Sequence, residues 1–280
     1  MIYFSPAKIN IGLQILNKRT DGYHNIQSVM HPVGLCDILE INTLPSANQT
    51  FLFSQSGIRF EGDQQDNLCL QALELFRKET PLPPVQMHLH KQIPVGAGLG
   101  GGSSNASTTL LGLNALADKP LTVKQLAAVA EILGSDCPFF LDPRTMMMEG
   151  RGEILTPLFL SMEEIYLVLI FPEIHVSTQD AYAGVNPAIP PQQLKELIKE
   201  PLSRWEELIE NDFEKSVFNR YPRLGSLKQE LYSSGATFAS LSGSGSSLYG
   251  IFKEQPSLPE GLRKYVIWEG PTQIRSLDDL

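Results

Sequence analysis

The residues from Ile93 to Ser107 read Ile-Pro-Val-Gly-Ala-Gly-Leu-Gly-Gly-Gly-Ser-Ser-Asn-Ala-Ser, with glycine at 96, 98, 100, 101 and 102 and then Ser103, Ser104 and Asn105. Without Cβ atoms such a loop can bring backbone N–H groups close to an anion, and a helix start just beyond adds unpaired donors and a positive dipole end. The chemistry it suits is a phosphate cradle; the plainer reading is a flexible connector. Two ionisable residues add to it. Asp136, in Ser135-Asp136-Cys137-Pro138 ahead of Phe139, Phe140 and Leu141, reads equally as a partly desolvated carboxylate and as a helix N-cap. Lys8 shares a strand face with Asn10, after Pro6 and Ala7; the plainer reading is a lysine on a solvated face.

Two better-known glycine motifs are excluded. Gly96-Ala97-Gly98-Leu99-Gly100-Gly101 satisfies the dinucleotide fingerprint by letter. That fingerprint requires an acid at the end of a second strand about 20 residues on, and the nearest acid, Asp118, stands in a Lys-Pro turn at a helix end. Gly96 to Gly101 also matches the first half of a P-loop, but Gly102 occupies the lysine position of that motif. A phosphate loop lacking this lysine must take its cation from elsewhere in the chain.

The flanking periodicities say what positions these groups. Val85, Met87 and Leu89 alternate with polar residues as in a half-buried strand, and Ala106, Leu110, Leu113 and Ala117 recur as on an amphipathic helix. Ile9, Ile11, Leu13 and Ile15 alternate with Lys8, Asn10, Gly12 and Gln14 in an N-terminal strand. Asp21-Gly22 marks a turn into the apolar stretch Ile26–Val33, with short strands at Asp37–Ile41 and Phe51–Ser54. Asp66 is expected to cap a helix from Asn67 to about Lys78, with Leu68, Ala72, Leu75 and Phe76 as its buried stripe. Thr122 and Gln125 form a capping box for a helix at Val123–Leu133, with Gly134 at its C′ position. Further strands are expected at Met146–Leu155 (broken by Gly150 and Gly152) and Ile165–Phe171, with Pro157–Met162 crossing into a second domain. Helical patterns follow at 176–182, 193–199, 202–209 and 222–234, the last stopped by Gly235. The segment 242–247, Ser-Gly-Ser-Gly-Ser-Ser, joins strands at Ala236–Leu241 and Leu248–Phe252. It reads as a hairpin turn or as a second backbone nest facing the first loop. The order predicts two α+β domains, 1–156 and 157–280, with the site in the cleft between them.

Composition narrows the class. With 280 residues, 42% of them apolar, a sizeable core can form. An excess of 31 acids over 22 bases, net −9, argues against nucleic acid as the main partner. Cys36, Cys69 and Cys137 form no C-x-x-C pair, and neither a signal-peptide layout nor a membrane-length apolar run occurs. The expectation is a cytoplasmic protein with a small-molecule substrate, no nucleic acid and no membrane.

Three motifs in fixed order, Pro6-Ala7-Lys8-Ile9-Asn10, the glycine-serine loop at 94–105 and Leu241-Ser242-Gly243-Ser244-Gly245, resemble the galactokinase–homoserine kinase–mevalonate kinase–phosphomevalonate kinase (GHMP) superfamily. Arg19-Thr-Asp-Gly-Tyr-His24, Asp66-Asn-Leu68 and Gly134-Ser-Asp-Cys-Pro138 are similar to the branch acting on a cytidine diphosphate-linked methylerythritol in the non-mevalonate isoprenoid pathway. The resemblance implies a fold with an N-terminal domain like domain 2 of ribosomal protein S5 and a C-terminal ferredoxin-like domain. It implies ATP-dependent phosphorylation of the substrate's 2-hydroxyl, with Asp136 as catalytic carboxylate and Lys8 as the cation that keeps it ionised. Pro94, Val95, Gly96, Ala97, Gly98, Leu99, Gly100, Gly101, Gly102, Ser103 and Ser104 would hold the ATP phosphates bridged by Mg²⁺. Asn67, Lys91 and Asn105 would line the nucleotide site, and no side chain is assigned to the metal. For the substrate it implies Asn10, Tyr23 stacked on the cytosine, His24 reading the base's polar edge, Thr178, and Tyr182 completing a sandwich. Tyr182 departs from the phenylalanine common there, Ala97 from a common glycine, and Ser246 from the pattern of the third motif. A homoserine- or mevalonate-type kinase and a decarboxylating diphosphomevalonate enzyme are disfavoured by Tyr23-His24, and an inactive nucleotide sensor by the presence of both Lys8 and Asp136.

Overall fold

Buried aliphatic and aromatic side chains gather into two separate clusters, and the chain divides with them in the computed structural model, which describes residues 1–44, 50–59, 64–160 and 165–272. One unit comprises Met1–Ala7, Leu35–Val95 and Gly100–Pro143; the other comprises Lys8–Gly34, Gly96–Leu99 and the chain from Arg144 onward. The strands β1 (Ile2–Lys18) and β2 (His24–Thr43) pair with each other and pass from one unit to the other.

In the first unit β3 (Phe51–Gly57) and α1 (Leu68–Glu79) precede β4 (Val85–Lys91), and α2 (Gly101–Leu116) and α3 (Val123–Leu133) follow it. β4 runs antiparallel to β2, with Leu39 opposite Leu89, and parallel to β3, with Phe53 opposite Met87. Its alternation buries Val85, Met87 and Leu89 against Phe76 of α1, Leu110 and Leu113 of α2, and Val129 of α3. Two local expectations are corrected. Asn67, not Asp66, is the N-cap of α1, its carboxamide accepting the Cys69 N–H at 2.9 Å, while Asp66 ends a preceding 3₁₀ turn. The helix therefore starts one residue late and buries Cys69 and Leu73 beside Ala72 and Phe76, leaving Leu68 and Leu75 partly buried. The Thr122–Gln125 capping box is present, but Gly134 is an extended C-cap (φ 162°) instead of a left-handed C′ residue, because a 3₁₀ turn begins almost at once at Cys137.

In the second unit β5 (Met146–Glu149) pairs with β2 and turns into β6 (Ile154–Pro157). β7 (Tyr166–Ile170) opens a second sheet. The short helices α4 (Thr178–Tyr182), α5 (Leu194–Leu197) and α6 (Trp205–Leu208) lead to α7 (Phe213–Arg220) and α8 (Pro222–Ser233). The strands β8 (Phe238–Leu241) and β9 (Leu248–Phe252), then α9 (Glu260–Arg263) and β10 (Val266–Pro271), complete an antiparallel sheet of order β10-β7-β9-β8. Leu224, Leu227 and Leu231 of α8 pack with Val168 and Ile170 of β7 and Leu248 of β9. α7 and β10 escape sequence reading for physical reasons. α7 buries only Phe213 and Val217, too sparse a stripe for a period, and β10 is mostly half-buried without alternation. Of the expected crossing at 157–162, Ser161 and Met162 lie outside the described residues. Among the described residues no helix is long and apolar enough to cross a membrane.

Candidate active site

The glycine loop leaves β4 and enters α2 through three left-handed glycines, Gly96, Gly98 and Gly100 (φ 66°, 79° and 69°), with the buried side chains of Ala97 and Leu99 between them. Ala97 has no positive φ, so alanine there costs no backbone strain. The carbonyl oxygens of the tip are all occupied. Ala97 O accepts the Ser247 N–H (3.1 Å), Gly98 O accepts Lys8 Nζ and Ser242 Oγ (both 2.9 Å), and Leu99 O accepts the Lys8 N–H (2.9 Å). In a trans peptide the N–H points opposite to the carbonyl before it, so the amides of Gly98, Leu99 and Gly100 face the other way. The first-turn amides of α2 follow directly, under an N-cap glycine that makes no side-chain cap. The local geometry is one in which these amides are not turned toward the partners that occupy the carbonyls. The third motif, which links β8 to β9 as a hairpin, spends its own donors on the carbonyl side of this tip.

Lys8 and Asn10 are not on a solvated face: they are 4% and 2% exposed. Lys8 Nζ donates to Asn10 Oδ1 and to Gly98 O, and Asn10 Nδ2 donates to Ser28 Oγ at 2.8 Å. The same corner is braced by a stretch that sequence reading passed over. Asn211 Nδ2 donates to Leu241 O (2.9 Å) and Gly243 O (2.8 Å), Asp212 Oδ2 accepts the Ile15 N–H (2.6 Å), and Glu214 Oε1 accepts the Leu241 N–H (2.9 Å). In the sequence, Asn-Asp ahead of α7 signals no more than a helix start.

Asp37 is the organising residue of the first unit's half, also unrecognised from sequence. Fully buried, it accepts Lys91 Nζ (2.5 Å) and Asn105 Nδ2 (2.9 Å) on one oxygen and the Gln92 and Ile93 N–H groups (2.6 and 2.8 Å) on the other. It thus ties the exit of β4, where the glycine loop begins, to the second turn of α2. Burial pulls the Lys91 pKa down and Asp37 opposes that pull. A Cβ on Gly101 would stand 2.9 Å from Lys91 Nζ, which sets the ammonium under the first residue of α2. Removing the charge on Asp37 leaves Lys91 buried without its counter-ion, so Asp37→Asn is expected to cost about 3–5 kcal/mol in urea unfolding; an unchanged midpoint would rule this network out as a support of the loop.

Asp136 stands at the N-cap position of the turn Cys137–Leu141, half-buried, yet its carboxylate makes no capping bond. The capping reading of Asp136 therefore finds no bond to support it. The turn is held to α2 by Ser107 Oγ, which donates to Cys137 O at 2.6 Å. Burial pushes the Cys137 thiol up to about 11, which keeps it protonated and unreactive at neutral pH.

The residues expected to bind the nucleobase lie in the second unit. His24 stacks on Tyr182 (centroids 5.0 Å apart, planes at 22°), and Tyr182 meets Phe213 edge-on at 4.8 Å. Burial raises the Tyr182 hydroxyl pKa. Thr178, exposed, and Tyr182 are the first and last residues of α4, whose N-cap Ser177 accepts the Asp180 N–H. Tyr23 is 59% exposed and does not stack on Tyr182; the Arg151 guanidinium covers one face of its ring.

A glycine loop whose tip carbonyls are occupied, so that its amides face the other way, suits phosphoryl transfer, which needs placement and charge stabilisation more than covalent help. The profile of the GHMP kinases N terminal domain matches residues 67–142 and that of the GHMP kinases C terminal matches residues 193–266. The chain belongs to the GHMP kinase family and is a small-molecule kinase that uses ATP. It is 46% identical to the 4-diphosphocytidyl-2-C-methyl-D-erythritol kinase of Bacteroides thetaiotaomicron, over 93% of this chain and 95% of that one. Identity to the enzyme of the same name from Porphyromonas gingivalis is 42%, over 92% and 94%. A crystal structure of 4-(cytidine 5'-diphospho)-2C-methyl-D-erythritol kinase superposes with a TM-score of 0.77 at 31% identity, covering 96% of this chain and 98% of the other. Homoserine kinase from Cytophaga hutchinsonii, at 18% identity and a TM-score of 0.63, shares the fold.

Proposed function

We propose that this protein phosphorylates the 2-hydroxyl of 4-diphosphocytidyl-2-C-methyl-D-erythritol with ATP, in the cytoplasm, as a step of non-mevalonate isoprenoid biosynthesis. The observation that carries the reading is the exposed ring of Tyr23 next in sequence to His24, which stacks on Tyr182; together these residues supply flat surfaces and a ring nitrogen of the kind that a pyrimidine needs. The names of relatives more than 40% identical along most of the chain support it. The sequence-level division into domains 1–156 and 157–280 puts one family profile on each side.

In this reading the glycine loop, Pro94 to Ser104, holds the ATP phosphates on its amides, and Asn67, Lys91 and Asn105 line the nucleotide. Asp136 orients the substrate hydroxyl and takes its proton as the oxygen attacks the γ-phosphorus, while ADP leaves with the bonding electron pair. Lys8 offsets the negative charge that develops on the alkoxide, and Asn10 sets its ammonium. Mg²⁺ would neutralise phosphate charge; the Ser104 hydroxyl, fully buried and without a hydrogen-bond partner, fits it as the hard oxygen ligand from this chain. Thr178 and Tyr182 belong to the substrate pocket. In steady-state kinetics Tyr23→Ala is expected to raise the KM for the cytidylyl substrate about tenfold, consistent with loss of one base–aromatic stack, and to leave the KM for ATP unchanged. An equal rise in both would contradict a nucleobase role for Tyr23.

A further inference from the structure

Arg151 has no part in the chemistry described so far, yet its position is defined. It sits in the turn between β5 and β6, flanked by Gly150 and Gly152, both at positive φ. The turn is fastened to β2 directly after the Tyr23-His24 pair: the Ile26 N–H donates to Gly150 O at 2.8 Å, and Gln27 Nε2 donates to Glu149 Oε1 at 2.8 Å. Within the turn the Arg151 N–H is held by Glu153 Oε2 at 2.5 Å. This anchoring carries the guanidinium over the Tyr23 ring, 5.2 Å from its centroid.

Arg19, whose N–H donates to Tyr23 O, and Arg151 differ in what they have left to offer. Arg19 is committed, to both oxygens of Asp21 through Nε (3.2 and 2.9 Å) and to Asn25 through Nη1 (2.9 Å). Arg151 has Glu153 at the loose distance of 3.9 Å and lies in the field of Asp21, which is itself hydrogen-bonded to Arg19, and 43% of its side chain is exposed. A guanidinium with most of its fork of donors unspent, resting on an aromatic face, is suited to bidentate recognition of phosphate. The need is real, because a chain of net charge −9 repels a diphosphate until a local cation reverses the field.

We propose that Arg151 is a specificity-determining residue: its guanidinium binds the diphosphate of the cytidylyl substrate while covering one face of Tyr23, so that the pyrimidine has a single face on which to stack. This rests on the function proposed above. It makes recognition of the substrate a joint reading of base and diphosphate from one corner of the second unit.

The test compares wild type with Arg151→Ala and Arg151→Lys, using the cytidylyl substrate and ATP as co-substrates and CDP and cytidine as competitive inhibitors. Arg151→Ala is expected to raise the substrate KM about tenfold, the loss of a charge-assisted hydrogen-bond pair, with the KM for ATP and kcat within about twofold. The CDP inhibition constant should rise in parallel while that of cytidine hardly moves, and lysine should recover part of the loss. An unchanged substrate KM in Arg151→Ala would overturn the proposal, and so would equal weakening of CDP and cytidine, which would reduce Arg151 to a support for the tyrosine ring. If wild type itself does not turn over the cytidylyl substrate, the proposed function fails, whatever Arg151 does.

Discussion

Asp136→Asn is expected to lower kcat by about 10²–10⁴-fold, the usual worth of a positioned proton acceptor, with ATP affinity unchanged. The substitution is close to isosteric, and the bond that holds the turn at Cys137–Leu141 runs from the Ser107 hydroxyl to the Cys137 carbonyl without the Asp136 side chain. The turn is therefore expected to be kept, while the ability to take a proton is removed. The variant also separates two meanings of an aspartate at a helix start. Asparagine caps as well as aspartate does, so if Asp136 were merely a cap, turnover would not change. Stopped-flow or steady-state rates alongside a nucleotide-binding titration make the distinction; full activity would refute the assignment.

Gly98→Ala is expected to remove most activity through geometry alone. Gly98 is left-handed (φ 79°), and an added Cβ would stand 2.1 Å from the Ser242 carbonyl oxygen. That oxygen is main chain and cannot swing aside, so the glycine loop or the third motif must move. Gly98 O would then lose its placement against Lys8 Nζ and Ser242 Oγ, and the amides beyond it would turn out of line. A displacement near 1 Å at a reacting centre costs roughly 10²-fold, so kcat/KM for ATP should fall by about that factor. Gly235→Ala is the control: its φ is also positive (94°), but nothing lies within 4 Å of the new Cβ. It should lose about 1 kcal/mol of stability through backbone strain alone and keep its activity. Similar kinetic losses in both variants would show that strain, and not the approach to Ser242, is what matters.

Features read correctly from the sequence are those whose signal is local. The glycine loop between a strand and a helix, the Thr122–Gln125 capping box and the strand Leu248–Phe252 each rest on residues a few positions apart. Asp37 and Asn211 fail that condition. Asp37 meets Lys91 and Asn105 across 54 and 68 residues of chain, and Asn211 meets Leu241 across 30. An aspartate in Cys-Asp-Ile-Leu carries no hint of four donors converging on it. Lys8 and Asn10 illustrate a different limit. Period-two alternation in β1 separates two faces but does not say whether the polar one meets water, and here both faces are buried from Ala7 to Leu13. The aromatic residues of the proposed substrate site are half legible: Tyr23 and His24 are adjacent in sequence, whereas the stacking of His24 on Tyr182 and the cover of Arg151 over Tyr23 depend on a helix and a turn far along the chain.

The most direct measurement is ADP release at saturating ATP and Mg²⁺ with three acceptors offered separately: 4-diphosphocytidyl-2-C-methyl-D-erythritol, homoserine and mevalonate. The proposed function predicts turnover with the cytidylyl compound and background rates with the other two. Phosphorylation of homoserine or mevalonate at a comparable rate, or no turnover of the cytidylyl compound, would contradict the proposed function.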